Sequence, residues 1–220
     1  MKKLIFTVCA FVAAHTAFAQ KWEEVKLDSV MSVSLPVVRS KKDTLGQEIY
    51  TAVTTYGNIM VIKVPDNPTK TPDIEKERHL KKYYDNYLKR VSGSAPGAVI
   101  RDEKDSMIGN LKVKDFTMEV DSGSGKQLRD FRIIHENCAT YTFEYLYEDI
   151  HKDLAVAEQA DFFKSIKASS NPTVQSQFTT EKATAKDTKP KTIYIVIGAV
   201  VVIILIIVSI LISRRKKKTA

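Results

Sequence analysis

Thr140-Tyr141-Thr142-Phe143-Glu144-Tyr145-Leu146-Tyr147-Glu148 places an aromatic ring at every second position. Side chains of a strand point alternately to its two faces, so Tyr141, Phe143, Tyr145 and Tyr147 line one side of a sheet. Four β-favouring aromatics at period two predict a strand that buries that side. Working back toward the N-terminus, Asn137-Cys138-Ala139 reads as a turn, Lys126 to Glu136 as a strand, Ser122-Gly123-Ser124-Gly125 as a second turn and Leu111 to Asp121 as another strand. Connections this short join antiparallel strands, so the three segments predict a meander. On the other side, Asp149 to Lys167 carries Leu154, Val156, Ala160, Phe163 and Ile166 and predicts a helix that packs back on the sheet.

Earlier in the chain, Thr71-Pro72-Asp73 has the pattern of a helix start: Thr as N-cap, Pro at the first helical position and an acid in the first turn. Leu80, Tyr84, Tyr87, Leu88 and Val91 follow at helical spacing, and Gly93 with Ser94-Ala95-Pro96-Gly97 stops the run. Tyr83, Tyr84 and Tyr87 form a stripe that reads first as a packing face and second as a binding face. Before that helix, Trp22, Val25 and Leu27 predict one strand and Met31, Val33 and Leu35 another, turned at Asp28-Ser29. Glu48 to Thr55 and Asn58 to Val64 flank Tyr56-Gly57 as a hairpin. Ile59-Met60-Val61-Ile62 is apolar on both faces, which predicts a central strand. The expected fold class is α+β, an antiparallel sheet with covering helices.

The two ends read differently from this domain. Lys2 and Lys3 precede an apolar run from Leu4 to Ala14, then Ala17-Phe18-Ala19, which predicts a signal peptide over 1–19 cut before Gln20. Cys9 follows Val8, where a lipidation site wants a small residue, so lipidation is not expected. Ile193 to Ile212 holds twenty residues without a charge. At about 1.5 Å per residue a helix of that length spans about 30 Å, the hydrocarbon thickness of a bilayer. Arg214 to Lys218 follows with five cations, which keeps that end cytoplasmic by the positive-inside rule. The expected order is a signal peptide (1–19), an extracytoplasmic domain (20–167), a disordered linker (168–191), a transmembrane helix (192–213) and a basic tail (214–220). A flexible linker of that length reaches about 27 Å. The expected address is a bacterial cytoplasmic membrane, with the domain outside.

The formal net charge is +8, yet residues 20–170 carry 23 basic and 24 acidic side chains. The excess sits at the ends, where it serves topology, so nucleic acid is excluded as a partner. No phosphate-binding glycine loop or nucleophile elbow is present. The densest cluster of metal-ligand types is His135-Glu136-Asn137-Cys138, with His151 further on. Imidazole and thiolate bind zinc, but the spacing matches no standard site, and a polar turn is the competing reading. His135, Cys138 and His151 are therefore the only metal candidates, and no catalytic residue, cofactor or cofactor-binding residue is assigned. Cys138 is the one cysteine that survives cleavage, so no internal disulfide supports the fold. It is either buried and inert or available to cross-link two chains.

Val33-Ser34-Leu35-Pro36, the hairpin, the mid-chain helix, the meander and Ala160-Asp161-Phe162-Phe163-Lys164-Ser165-Ile166-Lys167 together resemble the PsbP-like family over about residues 22–167. That family includes photosystem extrinsic subunits, a Ran-binding relative and many bacterial envelope proteins. The resemblance implies an α/β/α sandwich around an antiparallel sheet. It also implies a binding or assembly module and not an enzyme; no metal or partner site of the family maps onto residues here. The expected function is a membrane-tethered, non-enzymatic binding or assembly module with an envelope protein as partner. The alternative is a small-ligand or metal sensor or carrier of the cell envelope.

Overall fold

The computed structural model describes residues 20–169 except Ser122, Ser124 and Asn137, together with Gln177 and Phe178. Among the described residues ten strands and two helices follow in chain order: β1 (Trp22–Lys26), β2 (Met31–Pro36), β3 (Arg39–Thr44), β4 (Gln47–Val53), β5 (Gly57–Pro65), α1 (Glu77–Ser92), β6 (Val99–Ile108), β7 (Leu111–Asp121), β8 (Lys126–Glu136), β9 (Ala139–Glu148), α2 (Lys152–Lys164) and β10 (Lys167–Ala168). A single 3-10 turn, Asp149–His151, leads into α2. Seven strands form one antiparallel sheet in the order β3-β4-β5-β9-β8-β7-β6, and β1-β2-β10 form a small second sheet.

The aromatic row of β9 is the centre of the larger core. Tyr141, Phe143 and Tyr145 are fully buried beneath β2 and α2, with Val33, Leu35 and Phe162 among their neighbours. Phe162 sets its ring 6.5 Å from Phe143 and 6.2 Å from Tyr145. The opposite face of the sheet is also covered, in part, by α1. There Leu80 and Tyr84 pack on Phe116, Met118, Phe131 and Ile133. This is why Thr140, Thr142 and Glu144, the polar positions of β9, are buried as well. Tyr83 and Tyr87 satisfy two of them, with hydroxyl contacts of 2.7 Å to Thr140 Oγ1 and Thr142 Oγ1. The tyrosine stripe is thus a packing face whose polar tips end on threonines for Tyr83 and Tyr87 and on strand backbone for Tyr84. The result is a helix, a sheet, then a helix with a small sheet: mixed α/β with antiparallel pairing, the layering the sequence predicts.

Three local expectations are corrected. First, α1 begins at Glu77 and not at Thr71; its N-cap is Lys76, without a side-chain cap. Thr71 instead closes a turn with Asn67, through Thr71 N to Asn67 O at 2.9 Å and Asn67 N to Thr71 Oγ1 at 2.9 Å. Threonine satisfies a local turn as readily as it caps a helix. Second, β3 and β6 are additional strands at the two edges of the sheet. Both are mostly exposed and charged (Lys41-Lys42-Asp43 in one, Asp102-Glu103-Lys104-Asp105 in the other), so no apolar alternation announces them. Charge on an edge strand opposes pairing with another chain. Third, Leu154 and Val156 are exposed, and Ala155 and Phe162 face the core of α2. At about 100° per residue, positions 155 and 162 share one face while 154 and 156 swing to its flanks.

Gly57 shows how closely β5 and β9 approach. A Cβ there would lie 2.5 Å from Leu146 O and 2.9 Å from the Tyr145 ring. A backbone oxygen in a paired strand cannot move aside, so Gly57→Ala is expected to cost about 3 kcal/mol, read as a lower urea midpoint at unchanged slope.

The leader, residues 170–176 and 179–191 of the linker, the apolar span and the basic tail all lie outside the described residues. Among the described residues no helix is long and apolar enough to cross a membrane.

Candidate functional site

The metal candidates are not brought together. His135 is buried near the end of β8, and Cys138 is exposed in the β8–β9 turn, at φ +58°. His151 lies beyond the other end of β9, past Glu148, which pairs with Gln127 at the start of β8. A ten-residue strand separates it from Cys138, about 30 Å. His135 makes a different set of contacts: Thr140 Oγ1 at 3.3 Å, the Tyr83 ring at 5.2 Å and Asp66 at 3.7 Å. Burial pushes its imidazole down to about 4, so it is neutral across the physiological range.

Beside it, Glu136 points to the other face of the sheet. Its side chain is fully buried, and neither carboxylate oxygen has a hydrogen-bond partner among the described residues. Burial, with a contribution from the charge of Asp28, raises its carboxyl to about 7. Asp28 behaves in the opposite way. Burial pushes it up, but Tyr141, Lys63 and the Val30 and Met31 amides outweigh that and hold it below the usual carboxylate range. Two acids near one another thus differ because one is solvated by the protein and the other is not.

A recess of about 260 Å³ lies over Asp115, Asp130 and Arg132. Its groups are bonded to one another: Arg132 grips Asp115 through Nε at 2.7 Å and Nη2 at 3.0 Å, and Asp130 accepts from Thr117 and Gln159. Burial raises the Asp130 carboxyl in spite of those bonds.

A larger concave surface than this recess lies elsewhere. α1 covers only part of its face of the sheet, and the rest forms an open groove of about 730 Å³ over β3, β4, β5 and β9. Val38, Thr51, Val53, Met60 and Leu146 line it, and Glu144 lies in its floor. That volume falls within the range of sites that hold small ligands or an anchoring side-chain cluster. Burial raises the Glu144 carboxyl, and Arg129, buried at 3.4 Å, opposes the shift.

The groove belongs to one end of the sheet, where β4 ends and β5 and β6 begin. Val37, Val38, Val53, Tyr56 and Val99 are exposed at that same end. So are Ile150, Leu154 and Val156, in the turn before α2 and its first two turns. At the opposite end, which carries Cys138, the exposed large apolar side chains among the described residues are Leu45 and Met107, with Phe178, next to Gln177, less exposed at 38%. Chain exit is also at the Cys138 end: Ser169 N bonds to Val30 O at 2.7 Å. Sequence reasoning missed this asymmetry, although Met60 carried a signal. An apolar residue on the second face of β5 promises a cover, and the helix that would supply it stops short.

No family model matches the chain, and no curated protein matches it by sequence. Solved structures do. The cyanobacterial PsbP of Synechocystis superposes with a TM-score of 0.50 at 12% identity, over 70% of this chain and 95% of that one. LpqN of Mycobacterium tuberculosis, a protein involved in cell envelope biogenesis, gives 0.44 at 10% identity over 67% and 90%. A Ran-binding protein of Saccharomyces cerevisiae gives 0.42 at 8% identity over 72% and 100%. At such identities it is the fold that is shared, and the fold is that of PsbP.

Proposed function

We propose that the chain is a non-enzymatic binding module, held on the outer face of a bacterial cytoplasmic membrane by its C-terminal apolar span, and that its partner is another envelope protein. One observation carries the reading: exposed apolar side chains and the 730 Å³ groove crowd one end of the sheet, and the chain leaves the domain from the other. Contiguous apolar surface on a soluble domain marks an interaction site. Acids outnumber bases around the helical part of the patch, with Glu148, Asp149 and Asp153 against Lys152 beside Ile150 and Leu154. Such a rim repels anionic lipid and favours a protein with a basic border. The PsbP-like fold, common to proteins that bind or assemble, is consistent with this role.

The test is photo-crosslinking in intact cells that make the full chain. A photo-reactive residue in place of Val53 is expected to give one adduct of defined mass. The same residue in place of Leu45, exposed at the other end, is expected to give none. Val38→Glu, which puts a charge in the groove, is expected to abolish the adduct. Equal adducts from both ends, or none from either, overturn the reading.

A further inference from the structure

Gln177 lies far along the segment between the domain and the apolar span, yet it is only 5% exposed. Its amide enters a slot at the Cys138 end of the sheet. The β7–β8 pairing runs as far as Lys114 opposite Ile133; two positions further on, Lys112 and His135 would face each other, but the strands have parted. Two polar groups bridge the gap. Tyr84 Oη accepts from His135 N at 2.9 Å and donates to Lys112 O at 2.9 Å. Gln177 Oε1 accepts from Lys112 N at 2.8 Å, and its Nε2 donates to Lys112 O at 2.8 Å and His135 O at 3.0 Å. A side-chain amide therefore does here what a neighbouring strand's peptide group does elsewhere. It reaches Lys112 N and His135 O, the two ladder groups that Tyr84 does not satisfy. Buried backbone groups without partners cost about 1–3 kcal/mol, so the slot favours an occupant. The occupant needs a donor and an acceptor side by side, which is a primary carboxamide. A carboxylate would set oxygen against Lys112 O and His135 O.

We propose that this slot is a clamp for the stalk: Gln177 fastens the chain leading to the membrane onto the Cys138 end of the sheet, so that the groove end points away from the bilayer. The proposal rests on the tethered reading above. Ser169 and Gln177 fix the stalk at two places on one end, and the groove lies at the far end of the strands. The clamp turns a leash, which alone would let the domain tumble, into a mount with a direction.

Two measurements on the mature full chain decide it. The first is hydrogen exchange at the Lys112 amide, which is expected to speed up about tenfold in Gln177→Ala and in Gln177→Glu, with the unfolding free energy lowered by no more than the matching ~1.4 kcal/mol. The second uses vesicles carrying a headgroup energy acceptor. A dye on the native Cys138 is expected to transfer at least about twice as efficiently as a dye at Val53→Cys in a Cys138→Ser background, across a domain about 30 Å long. Gln177→Ala is expected to shrink that difference. Unchanged Lys112 exchange, or equal transfer from the two ends of the native chain, overturns the clamp. A chain that fails to float with the vesicles sinks the tether, and the orienting role with it, while faster exchange would still locate Gln177 in its slot.

Discussion

Replacing Glu136 with glutamine is expected to stabilise the domain by about 2–4 kcal/mol at pH 8 and by almost nothing at pH 4. The sign follows from the direction of the shift. The folded carboxyl titrates near 7 and an unfolded one near 4.5. Below 4.5 both states hold the proton, and Glu136 costs nothing. Between 4.5 and 7 the unfolded chain releases it while the folded chain does not, so stability falls as pH rises. Above 7 the folded protein carries a buried charge with no partner among the described residues, and the whole penalty is present. Glutamine keeps the shape and removes the charge. Urea unfolding of wild type and Glu136→Gln across this range would show two curves that meet at acid pH and separate toward alkaline pH. Parallel curves would mean that Glu136 is solvated in the folded state. His135 adds a slope of the opposite sense: its folded imidazole titrates near 4, so stability also falls as pH drops through 6.5.

Phe162→Ala is expected to cost about 3–5 kcal/mol, a large part of the stability of a domain this size. Phe162 is fully buried, and its ring touches the space between Phe143, Tyr145 and Phe163. It is the side chain through which α2 grips the sheet. Two of those rings stand on β9 and the third on α2 itself, all within the packed core, so the cavity has little freedom to collapse. Leu154→Ala, a comparable truncation two turns away on the same helix, removes a side chain that is 55% exposed. Its expected effect on stability is within about 0.5 kcal/mol. Denaturant midpoints of the two variants compared in one experiment would check both. A large loss from Leu154→Ala would mean that the flank of α2 is covered in the folded protein.

The central strands were legible because each shows a residue pattern across its two faces, apolar on both in β5 and aromatic against polar in β9. The alternation of Tyr141, Phe143, Tyr145 and Tyr147 announced β9, and short turns on its N-terminal side fixed β7 and β8 to within a residue. β3 and β6 could not be read in the same way. An edge strand with both faces largely wet has no apolar period, and its pairing is set by the neighbour that it joins. The flank of α2 was misread because Leu154 and Val156 are apolar without being interior, a pattern shared by core and interface. The groove end was illegible for a related reason: a chain does not record how far α1 extends over the sheet. Glu136 stood in the sequence as one acid of a polar turn. Its isolation arises only when β8 pairs with β9 and that face of the sheet is buried.

The sheet order has a consequence for how the chain is made. β9, the last of the seven strands to leave the ribosome, is the middle one in space. β5 pairs with it across a long separation, Gly57 with Tyr147 and Pro65 with Ala139. Until residues near 148 emerge, β5 and β8 each present an open apolar edge with nothing to join. Closing so long a loop is slow, and the half-sheets that wait for it are prone to stick. A nascent chain of this topology gains its native core in one late step, and a truncation before residue 139 would leave two unjoined halves.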